Sequence, residues 1–186
     1  MSAATVSKAP AVTLGFWVIK ILATTLGETA GDTVTMTWNM GYLVGTAIFL
    51  PALVALVVAQ ILASGFRPAL YWATIIASTT AGTTLADFAD RSLGIGYWGG
   101  STLLLALVLA SLAAWYWSER TINVDTVNTP KVEAFYWTTI TVSQTLGTAI
   151  GDWTADDAGI GFLGGALLFA ALLALIAALF FWTKIS

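Results

Sequence analysis

Long hydrophobic stretches recur along the whole chain, separated by short segments with Gly, Pro, Asn, Asp or charged residues. A helix needs roughly 20 mostly apolar residues to cross the hydrocarbon layer of a bilayer. Six stretches fit that length, and we place them at residues 12–34, 41–64, 69–90, 95–118, 133–154 and 160–182. The pattern therefore predicts an all-α integral membrane protein with six transmembrane helices.

Three segments of the chain share one sequence pattern. An aromatic-Trp pair, ending at Trp17, Trp72 or Trp137, is followed ten residues later by Gly and fifteen residues later by Asp. Self-similarity at a nearly fixed period indicates tandem structural repeats. We therefore predict a single transmembrane domain, residues 1–186, that contains repeat 1 (10–66), repeat 2 (67–118), a linker (119–130) and repeat 3 (131–186).

Each predicted repeat contains two crossings, so all three repeats should have the same orientation in the membrane. Only Arg91 lies in a loop on one side of the predicted membrane. The basic residues on the other side, that of the N-terminus, are Lys8, Arg67, Arg120, Lys131 and Lys184. Because basic residues concentrate in cytoplasmic loops, we expect both termini to be cytoplasmic.

Composition narrows the function classes. The chain is 58% hydrophobic and 9% charged, and its mean hydropathy is +0.86, which excludes an ordinary soluble domain. It has no Cys and no His, so disulfides, thiolate chemistry, Cys/His zinc sites and imidazole bases are excluded. The net charge of -3 and the lack of a basic patch argue against nucleic acid as a partner. We expect that the protein is not an enzyme.

The first helix of each repeat carries a polar stripe at positions seven, eleven and fifteen after its Trp. The stripes are Thr24-Glu28-Asp32, Thr79-Thr83-Asp87 and Gln144-Thr148-Asp152. Spacing of four places each trio on one side of its helix. Small residues beside the stripes, including Gly27, Gly31, Gly82, Gly147 and Gly151, form the small-xxx-small pattern of closely packed membrane helices. We predict that the polar faces meet inside the bundle, although packing alone would also explain the Thr and Gly positions.

Two charged residues lie within the first predicted crossing. Glu28 is about one helical turn, or roughly 6 Å, deeper than Asp32. A charge at membrane depth costs on the order of 2 to 3 kcal/mol on insertion scales, so it is normally neutralised, paired or functional. Lys20 either extends its ammonium to the inner interface or pairs with a carboxylate inside the bundle.

The repeated carboxylates suggest a cation site. If the three first helices converge, Glu28, Asp32, Asp87 and Asp152 would form a cluster of oxygen ligands, with the hydroxyls of Thr83 and Thr148 beside it. Hard divalent cations favour such ligands, and clustered carboxylates also raise one another's proton affinity. We therefore predict binding or transport of a small cation, either a divalent metal ion or proton-coupled. A divalent cation is the one cofactor that the sequence suggests.

The alternative is a membrane scaffold or accessory subunit in which the same faces serve packing. Besides the lipid bilayer, the partner classes that we expect are a second copy of the chain or another membrane protein. A seven-residue string follows each repeated Asp, from Asn39 to Gly45, Gly94 to Gly100 and Gly159 to Gly165, and has the form Gly/Asn-x-Gly-aromatic-x-x-Gly. These strings are not nucleotide loops, because no strand precedes them and no basic residue adjoins them. We predict that these glycines allow close packing of the second helix.

The tandem Trp, Gly-[Glu/Thr]-x-x-x-Asp and Gly-x-Gly-aromatic pattern resembles a family of bacterial multi-pass membrane proteins built from two-helix repeats of unknown function, often labelled membrane-anchored proteins. The resemblance extends from Pro10 to Trp182. It implies a location in the bacterial inner membrane, and it brings no activity with it.

Overall fold

A computed structural model describes residues 7–183, without the side chains of residues 180, 181 and 183. These residues form six α-helices and no strand. The helices are α1 (Leu14–Asp32), α2 (Tyr42–Leu62), α3 (Pro68–Asp87), α4 (Gly96–Glu119), α5 (Pro130–Asp152) and α6 (Gly161–Thr183). The predicted all-α class is confirmed. Lys184, one of the predicted inner flanking residues, lies outside the described residues.

Local sequence explains where several helices begin and end. The hydroxyl of Thr13 accepts a hydrogen bond from the backbone N–H of Phe16, which caps α1. Pro68 and Pro130 are the first residues of α3 and α5, where a residue without a backbone N–H costs no hydrogen bond. The linker after α4 includes a short 3₁₀ turn, Val124–Thr126.

Each first helix of a repeat continues into a π-helical turn, at Thr33–Thr37, Phe88–Ser92 and Trp153–Asp157. The chain then reverses with positive φ at two positions in every repeat, namely Asn39 and Gly41, Gly94 and Gly96, and Gly159 and Gly161. Glycine adopts this conformation without steric cost. The prediction of close packing was wrong for these glycines, since no described atom lies within 4 Å of a Cβ built on any of them.

The prediction of close packing is confirmed at the last glycine of the same strings in repeats 1 and 2. A Cβ at Gly45 would lie 2.5 Å from the methyl carbon of Thr35 on the π turn, and one at Gly100 would overlap the carboxylate of Asp90. The π turn and the second helix therefore pack tightly at these positions.

The described residues group into two compact units, which divide within α5 between Ala149 and Ile150. In the first unit, α3 packs against both α1 and α2. An aromatic cluster lies where α3 and α5 begin, and it includes Tyr71, Trp115, Tyr136 and Trp137. In the second unit, α6 packs against the preceding π turn.

Three of the helices are long and apolar enough to cross a membrane. They are α2, α4 and residues Gly161–Leu179 of α6, with mean hydropathies of 2.4, 1.6 and 2.6. Large apolar side chains are exposed on all three, for example Leu43, Leu105 and Leu163. This exposure is consistent with a membrane protein, because lipid can cover such side chains.

Candidate functional site

The polar stripe of α3 is buried inside the first unit. Thr79, Thr83 and Asp87 are 5%, 1% and 2% exposed. Most hydroxyls of this helix donate to a carbonyl of their own helix; Thr79, for example, donates to the carbonyl of Ile75 over 3.1 Å. The helix can therefore carry many polar side chains in its interior face without leaving them unsatisfied.

Gln144 connects α5 with α1 and α3. Its side-chain oxygen accepts hydrogen bonds from the ammonium of Lys20, over 3.1 Å, and from the hydroxyl of Thr79. Its amide nitrogen donates to the hydroxyl of Ser78. Two roles were expected for Lys20, at the inner interface or paired with a carboxylate. In the structure the ammonium turns inward and donates to an amide oxygen. We name Lys20, Ser78, Thr79 and Gln144 the glutamine junction.

Residues at equivalent positions of repeats 2 and 3 contact each other directly. The hydroxyls of Tyr71 and Tyr136 are 2.6 Å apart, and those of Thr83 and Thr148 are 3.2 Å apart. Both pairs, like Thr79 and Gln144, are 65 residues apart in sequence. The two helices therefore face each other in register. These three levels, with the glutamine junction in the middle, form a series of polar contacts that we name the polar ladder.

Asp87 lies beyond the polar ladder at the end of α3. One of its oxygens is 2.9 Å from the guanidinium Nε of Arg91. The guanidinium also lies over the rings of Tyr42 and Tyr97, at 5.9 and 5.4 Å from their centroids. A neighbouring carboxylate, Asp90, is buried on the π turn. An arginine held between two aromatic rings keeps the positive charge beside Asp87 in place.

The other predicted ligands are placed differently from Asp87. Glu28 is exposed on α1, Asp32 and Asp152 are half-buried, and Thr148 is buried. Within the part of the chain that the structure describes, no group of three or more acidic side chains is arranged to hold a metal ion.

The glycines beside the stripes differ in their surroundings. A Cβ at Gly27 would lie 2.8 Å from the carbonyl oxygen of Ile76, and one at Gly31 would lie 3.4 Å from that of Thr80. A Cβ at Gly82 would lie 2.9 Å from the hydroxyl of Thr145. Among the described residues, by contrast, nothing lies within 4 Å of a Cβ at Gly147 or at Gly151.

The sequence analysis missed a buried ion pair near the first residues of α5. The ammonium of Lys8 lies 2.6 Å from an oxygen of Glu133, and it also donates to the backbone carbonyls of Gln60 and Ile61. The side chains of Lys8 and Glu133 are 11% and 1% exposed. The two residues are 125 positions apart in the sequence. The sequence signal that could have indicated the pair is an acidic residue, Glu133, at the start of a predicted crossing.

Comparison with known proteins gives one match. A family model described as Repeat of Unknown Function (DUF347) matches three times, at residues 15–66, 70–121 and 135–186. Neither a curated protein nor a solved structure matches the chain significantly. The match confirms the interpretation of the chain as tandem repeats of unknown function.

Proposed function

The chain belongs to the DUF347 repeat family, and from that premise we propose that it is a membrane protein that moves protons along the polar ladder between α3 and α5. All six helices cross the membrane in this proposal. The helices α1, α3 and α5 contain 19, 20 and 23 residues, and about 20 residues suffice for a crossing.

The buried polar ladder is the observation that carries the proposal. It begins at the tyrosine pair, continues through the glutamine junction and ends at the Thr83–Thr148 contact, close to Asp87 along α3. Hydroxyl groups both donate and accept hydrogen bonds, so the groups of each level can pass a proton. The levels are roughly 6–12 Å apart along α3, and in this proposal water between them completes the path. Ionisable side chains inside a membrane are costly and usually functional.

Charge favours protons over metal ions in this path. Lys20 brings an ammonium to the middle of the ladder, and a fixed positive charge there repels a passing metal cation. An amine can instead release and take up a proton. Asp87 then provides a proton acceptor beyond the Thr83–Thr148 contact, in the neighbourhood of Arg91.

The test measures proton flux in vesicles. Purified protein is placed in liposomes that contain a pH-sensitive dye, and a potassium diffusion potential drives protons inward. We expect the wild type to acidify the lumen faster than protein-free liposomes do. Lys20→Met and Asp87→Asn should each reduce the flux towards the protein-free rate. The matched control is Asp125→Asn, because Asp125 is exposed in the linker and should leave the flux unchanged.

Two results contradict the proposal. One is wild-type flux equal to that of protein-free liposomes. The other is full flux in the Lys20→Met variant when the same preparation shows native unfolding behaviour, since the amine would then be dispensable.

A membrane scaffold or accessory subunit is the second candidate. The hydroxyls of Thr74, Thr80 and Thr84 donate to carbonyls of their own helix, which is expected of residues that serve only packing. Under this alternative, substitutions in the polar ladder lower stability, and neither the wild type nor any variant conducts protons.

A further inference from the structure

A buried carboxylate lies next to the tyrosine level of the polar ladder. Glu133 is in the first turn of α5, three residues before Tyr136, whose hydroxyl contacts that of Tyr71. Residues three positions apart share one side of a helix, and they are separated by about 5 Å along its axis. The ladder therefore has a carboxylate near each of its ends, Glu133 at one and Asp87 at the other.

The two oxygens of Glu133 have different surroundings. Oε1 accepts a hydrogen bond from the ammonium of Lys8 over 2.6 Å. Oε2 is buried and has no hydrogen-bond partner among residues 7–183. A buried acceptor without a donor is costly, and a bound proton would turn this oxygen into a donor. Glu133 thus has one oxygen that holds a counter-charge and one that is available to a proton.

Lys8 is held in place independently of Glu133. Its backbone N–H donates to the carbonyl of Val127 over 2.7 Å, and its ammonium donates to the carbonyls of Gln60 and Ile61. An ammonium has three hydrogen-bond donors, so two of them keep their acceptors when the charge of Glu133 is neutralised. The positive charge can therefore stay beside Glu133 in both protonation states of the carboxyl group.

We propose that Glu133 is the proton acceptor at the inner end of the polar ladder, and that the ammonium of Lys8 balances its charge after the proton has left. A hydronium ion at the inner face gives its proton to Oε2 and becomes water. The protonated carboxyl group then donates that proton towards the tyrosine pair and becomes a carboxylate again. The inference rests on the proposed proton movement and adds the residue at which protons enter the ladder. Buried carboxyl groups in membranes commonly serve as proton relays.

The test compares two lysine–glutamate pairs in the liposome assay for proton flux. Glu119, the last residue of α4, pairs with Lys131 over 2.9 Å, and their side chains are 25% and 65% exposed. Glu133→Gln should lower the flux to the rate of protein-free liposomes. Glu119→Gln, the matched control, should leave it at the wild-type rate. Equal fluxes in these two variants would overturn the inference.

A double variant separates proton transfer from stability. Glu133→Gln alone leaves a buried ammonium without its counter-charge, which is destabilising. Lys8→Met combined with Glu133→Gln removes both charges, so this protein should unfold at a higher denaturant concentration than Glu133→Gln does. Its flux should nevertheless remain at the protein-free rate. Wild-type flux in the double variant would overturn the inference, because Glu133 would then serve stability alone.

A second measurement uses the wild type and so does not depend on the stability of a variant. Dicyclohexylcarbodiimide reacts with protonated carboxyl groups in apolar surroundings, and mass spectrometry identifies the modified residue. We expect an adduct on Glu133 and a parallel loss of flux, whereas an unmodified Glu133 in protein that has lost its flux would overturn the inference. Wild-type flux equal to that of protein-free liposomes would contradict the proposed function itself. Reduced flux in Asp87→Asn together with full flux in the double variant would contradict this inference alone.

Discussion

α3 and α4 belong to the same repeat and have opposite surroundings. Most residues of α3 are buried, and many of these are Thr or Ser. In α4 only Gly100 and Trp115 are buried, while leucines such as Leu103 and Leu109 are exposed. The polar helix is therefore inside and the apolar helix outside. This arrangement is the reverse of a soluble bundle, and it is consistent with a membrane protein whose outer helices are covered by lipid.

The difference explains why apolar character alone identifies three of the helices as candidate membrane spans. A helix that is covered by its neighbours need not be apolar, provided that its polar groups are satisfied within the bundle. In α3 the hydroxyls meet that condition by bonding to backbone carbonyls or to α5. We expect substitutions in the inner helices to have large effects and substitutions on the outer helices small ones.

The largest effect should follow from enlarging a covered glycine. Gly27→Leu places its side chain against the backbone of Ile76, and overpacking of this kind typically costs about 1–3 kcal/mol, or more where backbone must move. Gly147→Leu meets no described atom within 4 Å of its Cβ and should leave the free energy of unfolding unchanged. Unfolding in mixed SDS micelles measures the free energies of the two variants. Equal losses would show that the two glycines do not differ in how closely they are packed.

Two glutamines provide the second comparison. Gln144→Leu removes the acceptor of the Lys20 ammonium, whereas the Thr79 hydroxyl keeps the carbonyl of Ile75 as an acceptor. Leaving the half-buried ammonium without this partner costs about 1–3 kcal/mol. Gln60 is also buried, but neither end of its amide has a hydrogen-bond partner among the described residues. Gln60→Leu should therefore be neutral or stabilising. The free energies of unfolding of the two variants test this difference. A larger loss for Gln60→Leu than for Gln144→Leu would contradict a stabilising role of the glutamine junction.

The smallest effect should occur on the outside. Leu105 of α4 is 48% exposed, so Leu105→Ala should change the free energy of unfolding by no more than about 0.5 kcal/mol. The same unfolding titration measures it. A loss as large as that of Gln144→Leu would mean that α4 is covered by protein in the membrane.

The repeat and the helices could be predicted because they depend on local sequence. The third predicted stretch, 69–90, corresponds to α3 with the beginning of its π turn. The glycine strings could be predicted for the same reason, but only their last glycine, Gly45 or Gly100, packs closely, while the earlier glycines adopt positive φ. Spacing marks an unusual position, but it does not distinguish a positive φ from close packing.

The site was harder to predict, because helix rotation decides which polar residues meet. Packing at Gly27 and Gly82 turns Ser78 and Thr79 towards Gln144, and it leaves Glu28 exposed. A stripe with a spacing of four defines one side of a helix, and several side chains of that side can reach different neighbours. The importance of Gln144 and of Glu133 therefore depends on tertiary contacts that periodicity does not contain.

The most direct test of the account is whether α3, the polar helix at the centre of the first unit, crosses the membrane. Single cysteines are introduced into the cysteine-free chain at Ser64 and Asp125, which follow α2 and α4, and at Met40 and Leu93, which follow α1 and α3. They are labelled with a membrane-impermeant maleimide in sealed vesicles of known orientation. The account predicts that Met40 and Leu93 label from one side and that Ser64 and Asp125 label only from the other. Labelling of Ser64 and Leu93 from the same side would contradict it, because α3 would then not cross the membrane.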